Sequence, residues 1–327
     1  MAQRPHKMKI IKTIRDLHSE SEERYKRLAD EVQLLLKEEA EKQGWFFVWR
    51  LKELESFALK IETGRVDDPA KLEDFFACTL VVPTLSHIET AENAVLSHYD
   101  LAARRPPDDG KTFKESSNFR FDDLRLYVSK RPSQTGKNLD LDGLVFEVQI
   151  KTVLQHAWSL ATHDLIYKSD TVSWPRERIA YQVKAMLEHA EIAIAEANRL
   201  ADAPAVAKKD EVTTETLKLI EQIRAQWSPD RLPRDIKRLA ETTQKMFKAL
   251  RLDVDQLTPI LAAEKRRVGL LPNDISPYAF IVQALSHSSI FDFQSALQKA
   301  KRMKVLVHDG MDLPAWMSQD HPKIIRI

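Results

Sequence analysis

The segment that decides the fold runs from residue 144 to residue 151 and reads Leu144-Val145-Phe146-Glu147-Val148-Gln149-Ile150-Lys151. Apolar side chains at the even positions alternate with polar ones at 147, 149 and 151. Successive side chains of a strand point to opposite faces of a sheet, so this alternation predicts a β-strand with one face in the core. The face with Glu147, Gln149 and Lys151 is then either solvated or part of a site.

Strands and helices alternate around this segment. Apolar and aromatic runs predict strands at residues 45–50, 75–82 and 121–128. Apolar residues at three- and four-residue spacing predict helices at 19–43, ended by Gly44, at 51–63, and at 86–98, begun by Ser86 as a cap. This mixture indicates an α/β or α+β sheet domain, and we expect the α+β class, a mixed β-sheet flanked by helices.

The pattern changes to helices after Trp174. One helix is predicted to reach about Leu200, and residues 201–210 read as a linker. Further helices are predicted at 213–227, 233–250, 276–285 and 292–301, with a short strand at 304–308. We therefore expect two parts, residues 1–204 and a mostly helical C-terminal region, residues 205–327.

The composition excludes several classes of protein. Lysine and arginine number 50 against 49 acidic residues, so no global charge drives the chain onto nucleic acid or an anionic membrane. The single Cys78 excludes an intramolecular disulfide and a cysteine-rich zinc site. The apolar run 75–83 is too short to cross a bilayer, and the first residues lack the apolar stretch of a secretory signal. A cytoplasmic protein without a membrane partner is expected.

A basic stripe follows the first predicted strand. Arg50 ends that strand, and Lys52, Ser56 and Lys60 follow at four-residue steps, which would place them on one side of the next helix. Arginine and lysine together neutralise phosphate oxygens, so the stripe suits a polyphosphate. An ordinary solvated helix face is the alternative. The chain has seven glycines and neither a GxGxxG nor a Walker A pattern, which disfavours a glycine-rich phosphate loop.

Two carboxylates complete the candidate site. Glu147 is fixed on a strand, and Asp74 immediately precedes the apolar run 75–82. A carboxylate beside a buried strand is costly unless it is exposed at the edge or bound to a cation, although a turn or helix-cap role for Asp74 is equally open. Separated carboxylates beside basic groups are the parts of a phosphoryl-transfer site that holds Mg²⁺ through oxygen ligands.

These segments resemble the RelA/SpoT nucleotide pyrophosphokinase (alarmone synthetase) family. The family's R-x-K-x-x-x-S-x-x-x-K segment matches Arg50, Lys52, Ser56 and Lys60. Its E-[VI]-Q-I-[RK]-T strand, followed by a helix that ends in H-x-x-x-Y-K, is similar to residues 147–152 and 163–168. The resemblance covers roughly residues 20 to 200. It implies a nucleotidyltransferase-like fold, with residues 1–204 as the synthetase domain.

The resemblance also implies an activity, the transfer of the β,γ-pyrophosphate of ATP to the 3′-hydroxyl of GDP or GTP. Asp74 and Glu147 take the positions of the Mg²⁺-binding acids, and Glu147 would also help to activate the hydroxyl. The remaining implied nucleotide-binding residues divide between the two substrates. The residues that match the family's ATP-gripping groups are Arg50, Lys52 and Lys60, and those on the acceptor side are Gln149 and His163. The other nucleotide-binding candidates are Ser56, Phe119, Arg120 and Lys151.

The sequence departs from the family pattern at two places. Thr79 stands where the family usually has an arginine that helps to sandwich the adenine. The acceptor loop, usually G-Y-R-S-x-H, aligns with residues 118–123, where Phe119 can still stack on a base but the glycine and histidine are missing. Either Lys111 or Lys114 would supply the loop lysine.

Three hypotheses follow from the match and its departures. The first is an alarmone synthetase that makes (p)ppGpp from ATP and GDP or GTP. The second is a toxin-type member that pyrophosphorylates the 3′ end of tRNA, suggested by the altered acceptor loop. The third is a catalytically silent nucleotide-binding regulator, suggested by Thr79. A homo-oligomer or a cognate regulator is a possible partner, and the role of residues 205–327 is open.

Overall fold

The computed structural model describes residues 8–64, 72–108, 115, 123–132, 138–166, 172–269, 274–318 and 321–327. The chain divides into two compact units, Met1–Val206 and Ala207–Ile327. Each unit has its own cluster of buried apolar residues. No helix in the described ranges combines the length and the apolar character needed to span a bilayer.

The first unit is built from a five-stranded sheet and helices. Its strands are β1 (Phe46–Leu51), β2 (Phe76–Val82), β3 (Tyr99–Arg105), β4 (Leu124–Lys130) and β5 (Val145–Thr152). Its helices are α1 (Lys12–Gln43), α2 (Leu54–Glu62), α3 (Ile88–His98), α4 (Val153–Ile166), α5 (Trp174–Ala195) and α6 (Ala197–Ala201). The predicted α+β class is confirmed.

The sheet has the strand order β1-β2-β5-β4-β3. The central pair β2 and β5 is parallel, and the other three pairs are antiparallel, so the sheet is mixed as predicted. A parallel pair requires a crossover connection. The chain between β2 and β5 makes it through α3, β3 and β4. Glu147 therefore lies on an interior strand, and β1 and β3 form the edges.

One face of the sheet forms the core. Phe146, Val148 and Ile150 of β5 are fully buried, as the alternation at 144–151 predicts. Cys78 is buried in the same cluster, in agreement with a core role. Phe57 of α2 packs edge-on against Phe75, with ring centroids 5.6 Å apart. Full burial of one such side chain contributes about 1.5–3 kcal/mol, so this layer fixes α2 on the sheet.

Several local predictions differ from the structure. Helix α1 begins at Lys12, earlier than expected, and Gly44 ends it in the left-handed conformation, with φ 71°. Ser86 does not cap α3, because a 3₁₀ turn at Leu85–His87 precedes the helix and the Ser86 hydroxyl contacts Thr84. Strand β3 was not predicted, since most of its residues are partly or fully exposed and the sequence shows no buried alternation there.

The second unit is mainly helical. Its elements are α7 (Glu211–Gln226), α8 (Ile236–Leu250), α9 (Leu257–Val268), α10 (Pro277–Ser286), α11 (Phe293–Lys299) and the parallel strands β6 (Val305–Val307) and β7 (Ile324–Arg326). Helix α9 was missed, although Leu257, Ile260, Leu261 and Glu264 are buried at helical spacing. Strand β7 was also missed, because it is only three residues long.

We predict that Phe57→Ala destabilises the first unit by about 3–5 kcal/mol, the usual cost of removing a buried phenylalanine side chain. Phe57 is fully buried, whereas its neighbour Leu59 on α2 is 57% exposed. Urea unfolding followed by circular dichroism measures the change, with Leu59→Ala as the matched control expected within about 0.5 kcal/mol of wild type. Equal losses in both variants would show that α2 is not anchored through Phe57.

Candidate active site

The site lies on the face of the sheet opposite the core. Strand register places Glu147 of β5 beside Ala77 of β2 on one side and Tyr127 of β4 on the other. Arg50 of β1 is on the far side of Ala77. Two strand spacings therefore separate the backbones of Arg50 and Glu147, a distance of about 10 Å. Because Ala77 has a small side chain, it leaves room between the two charged groups.

The next row of the same face is also polar. Gln149 of β5 lies between Thr79 of β2 and Arg125 of β4, and Arg125 pairs with Arg105 of the edge strand β3. Thr79, at the position where the resemblance leads us to expect an arginine, directly adjoins Gln149.

Lys52, Lys60 and Asp74 form the Asp74 cluster. Lys52 Nζ donates a hydrogen bond to Asp74 Oδ2 at 2.8 Å, and Lys60 Nζ forms an ion pair with Asp74 Oδ1 at 2.9 Å. All three side chains are at most about one-third exposed. Lys52 comes from the chain after β1, Lys60 from α2, and Asp74 from the chain just before β2. One carboxylate therefore fixes the relative positions of two lysines.

The predicted stripe of Lys52, Ser56 and Lys60 on one helix is wrong for Lys52. Helix α2 begins at Leu54, and Lys52 lies in the connection before it. The Lys52 backbone N–H donates to the Phe75 carbonyl at 2.8 Å, and the Lys52 carbonyl contacts His18 Nε2 at 2.8 Å. These contacts hold Lys52 in extended chain beside the sheet, yet its ammonium still meets Lys60 at Asp74. Ser56 and Arg50 are exposed.

The charges of the two lysines decide the ionisation of Asp74. Burial alone would raise the pKa of Asp74, but the hydrogen bond from Lys52 and the positive charges of Lys52 and Lys60 outweigh it, so the pKa lies below its ordinary value. Asp74 is therefore ionised at neutral pH. Asp74 also lies in a turn, as one alternative predicts, which the Phe75 N–H closes by donating to the Leu72 carbonyl at 3.3 Å.

Glu147, Gln149, Asp123, Arg125 and Lys151 form the Glu147 cluster. The Glu147 side chain is only 5% exposed. Its Oε1 accepts a hydrogen bond from Gln149 Nε2 and lies 3.7 Å from Arg125 Nη1. Asp123 Oδ2 accepts hydrogen bonds from Arg125 Nε at 3.2 Å and Nη2 at 3.1 Å, and lies 3.7 Å from Lys151 Nζ. Glu147 is thus held through one oxygen.

Burial and charge act in opposite directions across this cluster. Burial would raise the pKa of Asp123, but Arg125 and Lys151 hold the pKa below its ordinary value. Burial would lower the pKa of Arg125, but Asp123 and Glu147 raise it. Burial lowers the pKa of Lys151, and the charge of Asp123 offsets this only in part. Asp123 is therefore the counter-ion that keeps both cations on this face.

The two predicted metal-binding carboxylates differ in their free oxygens. Within the described residues, Glu147 Oε2 has no hydrogen-bond partner, whereas Asp74 Oδ1 is buried and pairs with Lys60 Nζ at 2.9 Å. Mg²⁺ is commonly held by one or two carboxylates together with substrate phosphates. The oxygen chemistry of the two carboxylates suits such an ion, and Lys60 must leave Asp74 Oδ1 before that oxygen can bind it.

Other predicted site residues fall outside what the structure describes. Phe119, Arg120, Lys111 and Lys114 lie outside the described residues, and His163 belongs to α4 with its side chain outside them. Conversely, sequence reasoning missed Asp123, Arg125 and Tyr127 as site residues. The signal was available, because the alternation of Leu124, Leu126 and Val128 places Arg125 and Tyr127 on the opposite face of β4.

We predict that Asp74→Asn lowers the free energy of unfolding at pH 7 by about 1.5–3 kcal/mol, since the half-buried Lys52 loses a charged hydrogen-bond acceptor. The pKa of Asp74 is lower in the folded protein than the value of about 3.9 in the unfolded chain. The stabilisation is therefore present above about pH 4 and is lost as the pH falls through the folded pKa. The difference between wild type and variant should shrink below pH 4.

Urea unfolding at pH 7, 5 and 3.5 measures this difference. Glu55→Gln, an exposed position on the same helix, is the matched control and should leave stability unchanged. A wild-type advantage over Asp74→Asn that stays constant down to pH 3.5 would show that the ionised carboxylate is not its source.

Comparison with known proteins finds similarity within the first unit. Residues 49–172 match the model of the region found in RelA/SpoT proteins. A search of curated proteins finds no match. The crystal structure of small alarmone synthetase 1 from Bacillus subtilis is 14% identical, with 57% of this chain and 100% of that chain covered and a TM-score of 0.46.

Two further structures are similar to a comparable extent. The same Bacillus subtilis enzyme bound to its product pppGpp is 16% identical, with 55% of this chain and 95% of that chain covered and a TM-score of 0.45. A GTP pyrophosphokinase family protein from Streptococcus pneumoniae is 19% identical, with 57% and 98% covered and a TM-score of 0.40. The residues 49–172 that match the region found in RelA/SpoT proteins include Arg50, Asp74 and Glu147.

Proposed function

We propose that the protein is a cytoplasmic pyrophosphokinase that transfers the β,γ-pyrophosphate of ATP to the 3′-hydroxyl of GDP or GTP. The observation that carries the proposal is the position of Glu147. It is a buried carboxylate on an interior strand of the RelA/SpoT region, about two strand spacings from Arg50 and in contact with Gln149. A fixed carboxylate beside cationic groups suits proton removal from a hydroxyl that attacks a polyphosphate.

Arg50, Lys52 and Lys60 are the proposed ligands of the ATP phosphates. The two lysines are already held together by Asp74, and Arg50 is exposed on the same face as Glu147. Positive groups fixed before the substrate arrives stabilise the developing charge with little rearrangement. Ser56, which is exposed on α2, is a further candidate for contact with the nucleotide.

Asp74 and Glu147 are the residues that would hold Mg²⁺, Glu147 through Oε2 and Asp74 through Oδ1 once Lys60 leaves that oxygen. When bound, the ion would neutralise phosphate charge during transfer. The chain's own contribution is to orient Glu147, because Gln149 and Arg125 both approach Oε1.

The proposed reaction is an in-line displacement at the β-phosphorus of ATP. The acceptor 3′-oxygen forms a bond to that phosphorus, the bond to the oxygen that bridges the α- and β-phosphates breaks, and AMP leaves. The hydroxyl proton passes to the Glu147 carboxylate. Catalysis then depends on position and charge neutralisation rather than on a covalent intermediate.

The 3′ end of tRNA is a second candidate acceptor. Asp123 stands at the place of the histidine in the family's acceptor loop, and it holds Arg125 and Lys151 in this chain. The acceptor side is therefore built differently from the family pattern. The third hypothesis, a silent regulator, rests on Thr79 and predicts nucleotide binding without transfer.

We predict that Glu147→Gln reduces pyrophosphate transfer at least about 100-fold, the usual contribution of a positioned general base. Purified protein is incubated with Mg²⁺ and ATP labelled at the γ-phosphate, with GDP, GTP or bulk tRNA in parallel reactions. Glu89→Gln, an exposed position on α3, is the matched control and should retain full activity.

The acceptor that becomes labelled separates the hypotheses. Label in a guanine nucleotide supports alarmone synthesis, and label in tRNA supports the toxin-type reaction. Undiminished transfer by Glu147→Gln would contradict the mechanism. Nucleotide binding without transfer to any acceptor would favour the silent regulator.

A further inference from the structure

A cationic turn lies in the second unit, outside the residues of the candidate active site. It connects α11 to β6 and reads Lys299-Ala300-Lys301-Arg302-Met303-Lys304. Its four cationic side chains are exposed, whereas Ala300 and Met303 are only 4% and 9% exposed. Four positive charges therefore reach solvent from six residues, and two buried apolar side chains anchor the backbone that carries them.

Lys323 holds both ends of the 299–304 turn. Its Nζ donates hydrogen bonds to three carbonyls at the end of α11, at 2.8, 2.8 and 2.5 Å, those of Leu297, Gln298 and Ala300. Beyond the turn, the Val305 N–H donates to the Lys323 carbonyl at 2.8 Å. The last carbonyls of a helix are the groups that nearby cations usually serve. Because Lys323 already binds them, the four cations of the turn are not needed as helix caps.

The cations of the 299–304 turn lack counter-ions. None of the four makes an ion pair with a described residue. The acid of this segment, Asp292, lies at the other end of α11, where it accepts a hydrogen bond from the Ser295 N–H at 3.0 Å. In the candidate active site, by contrast, Asp74 and Asp123 pair with their neighbouring cations. Like charges this close repel one another, and a bound anion relieves that repulsion.

The form of the turn favours an extended anion over a small one. Arg302 adopts the left-handed backbone conformation, with φ 58°, in a tight turn whose cations are exposed. A small phosphate ligand needs a concave site that surrounds it. A nucleic-acid backbone instead presents a row of phosphates to the outside of a protein, where exposed lysine and arginine side chains reach them.

The residues around the turn favour phosphates over a protein or a lipid surface. The turn, β6 and β7 contain no aromatic residue, and the apolar side chains exposed on the two strands, including Leu306 and Ile325, are aliphatic. Aromatic anchors are typical of protein interfaces and of surfaces that insert into membranes. Charge is therefore the property by which this turn would recognise a partner.

We infer that the 299–304 turn binds the phosphate backbone of RNA without reading its sequence. Lysine and arginine contacts with phosphates supply affinity that does not depend on the bases. The choice of RNA rests on the proposed function, since the 3′ end of tRNA is one of its candidate acceptors, whereas the cationic surface does not depend on that function. The turn lies outside residues 49–172, so it adds RNA affinity through a part of the chain that the RelA/SpoT region does not include.

The test measures binding of fluorescently labelled bulk tRNA to the full chain by anisotropy, without ATP and from about 50 to 200 mM KCl. The turn variant combines Lys299→Gln, Lys301→Gln, Arg302→Asn and Lys304→Gln, with asparagine at 302 because it tolerates the left-handed conformation. The matched control removes four exposed cations of α8 in the same unit, through Lys237→Gln, Arg238→Gln, Lys245→Gln and Lys248→Gln. A charge-retaining variant exchanges lysine and arginine at the four positions of the turn.

We predict that the turn variant binds tRNA at least about 10-fold more weakly than wild type at 100 mM KCl. The slope of log affinity against log salt should fall by about 3, since each lost phosphate contact removes close to one released ion. The α8 control should stay within about 3-fold of wild type, and the charge-retaining variant should bind like wild type. Thermal unfolding followed by circular dichroism should show the same melting temperature in all four proteins, because the turn cations cap no helix.

Several results would overturn the inference. Wild type that does not bind tRNA, or equal losses in the turn variant and the α8 control, would show that the turn is not an RNA site. Turn-dependent binding that is tighter for phosphatidylserine vesicles, poly-glutamate or a DNA duplex than for tRNA would assign the surface to a membrane, an acidic protein or DNA. A DNA duplex bound no more tightly than tRNA agrees with a contact to phosphates alone.

Failure of the RNA site and failure of the proposed function are distinguishable. If tRNA binding depends on the turn but no acceptor is labelled in the transfer assay, the RNA site stands and the function falls. If wild type labels an acceptor and the turn variant binds tRNA as tightly as wild type, the function stands and the RNA site falls.

Discussion

The parallel pairing of β2 with β5 is the constraint on which the candidate site depends. It sets Ala77 beside Glu147 and Thr79 beside Gln149, and the antiparallel pairing of β1 then brings Arg50 to the same face. A slip of one residue in this register would turn Glu147 into the apolar core and Phe146 out of it. The apolar side chains at alternate positions of β5 are fully buried, which excludes that slip. One strand register therefore fixes both the core and the site.

Charge on this face is organised by two aspartates. Asp74 holds Lys52 and Lys60 after β1 and on α2, and Asp123 holds Arg125 and Lys151 on β4 and β5. In each case burial alone would disfavour the ionised carboxylate, and the neighbouring cations reverse that effect. Each aspartate therefore fixes the positions of two cations. Fixed cations stabilise a bound anion with little rearrangement, which suits the proposed function.

The sequence predicted the parts of the site that depend on local periodicity or on an ordered motif. Alternation placed Glu147, Gln149 and Lys151 on one face of β5, and the basic motif selected Lys52 and Lys60. Alternation does not reveal long-range partners. The contact of both lysines with Asp74 joins residues 14 to 22 positions apart through the fold. Lys52 was assigned to a helix because four-residue spacing does not show where the helix begins.

Arg125 and Asp123 were missed for a different reason. Asp123 lies at the end of the altered acceptor-loop segment, residues 118–123, and Arg125 lies just after it. The family motif therefore gave no role to either residue. Their significance comes from the pairing of β4 with β5, which sets Arg125 opposite Gln149. Strand β3 was missed because an exposed edge strand has no buried face to impose alternation. Only the structure shows which strands distant in sequence are neighbours in the sheet.

In the proposed function, Glu147 lies at the acceptor hydroxyl and Arg50, Lys52 and Lys60 hold the ATP phosphates. A crystal structure with a non-hydrolysable ATP analogue, Mg²⁺ and the acceptor identified by labelling tests this arrangement most directly. We expect the triphosphate on Arg50, Lys52 and Lys60, and the 3′-hydroxyl within hydrogen-bond distance of Glu147. A triphosphate remote from these three cations, or a 3′-hydroxyl remote from the Glu147 carboxylate, would contradict the proposed function.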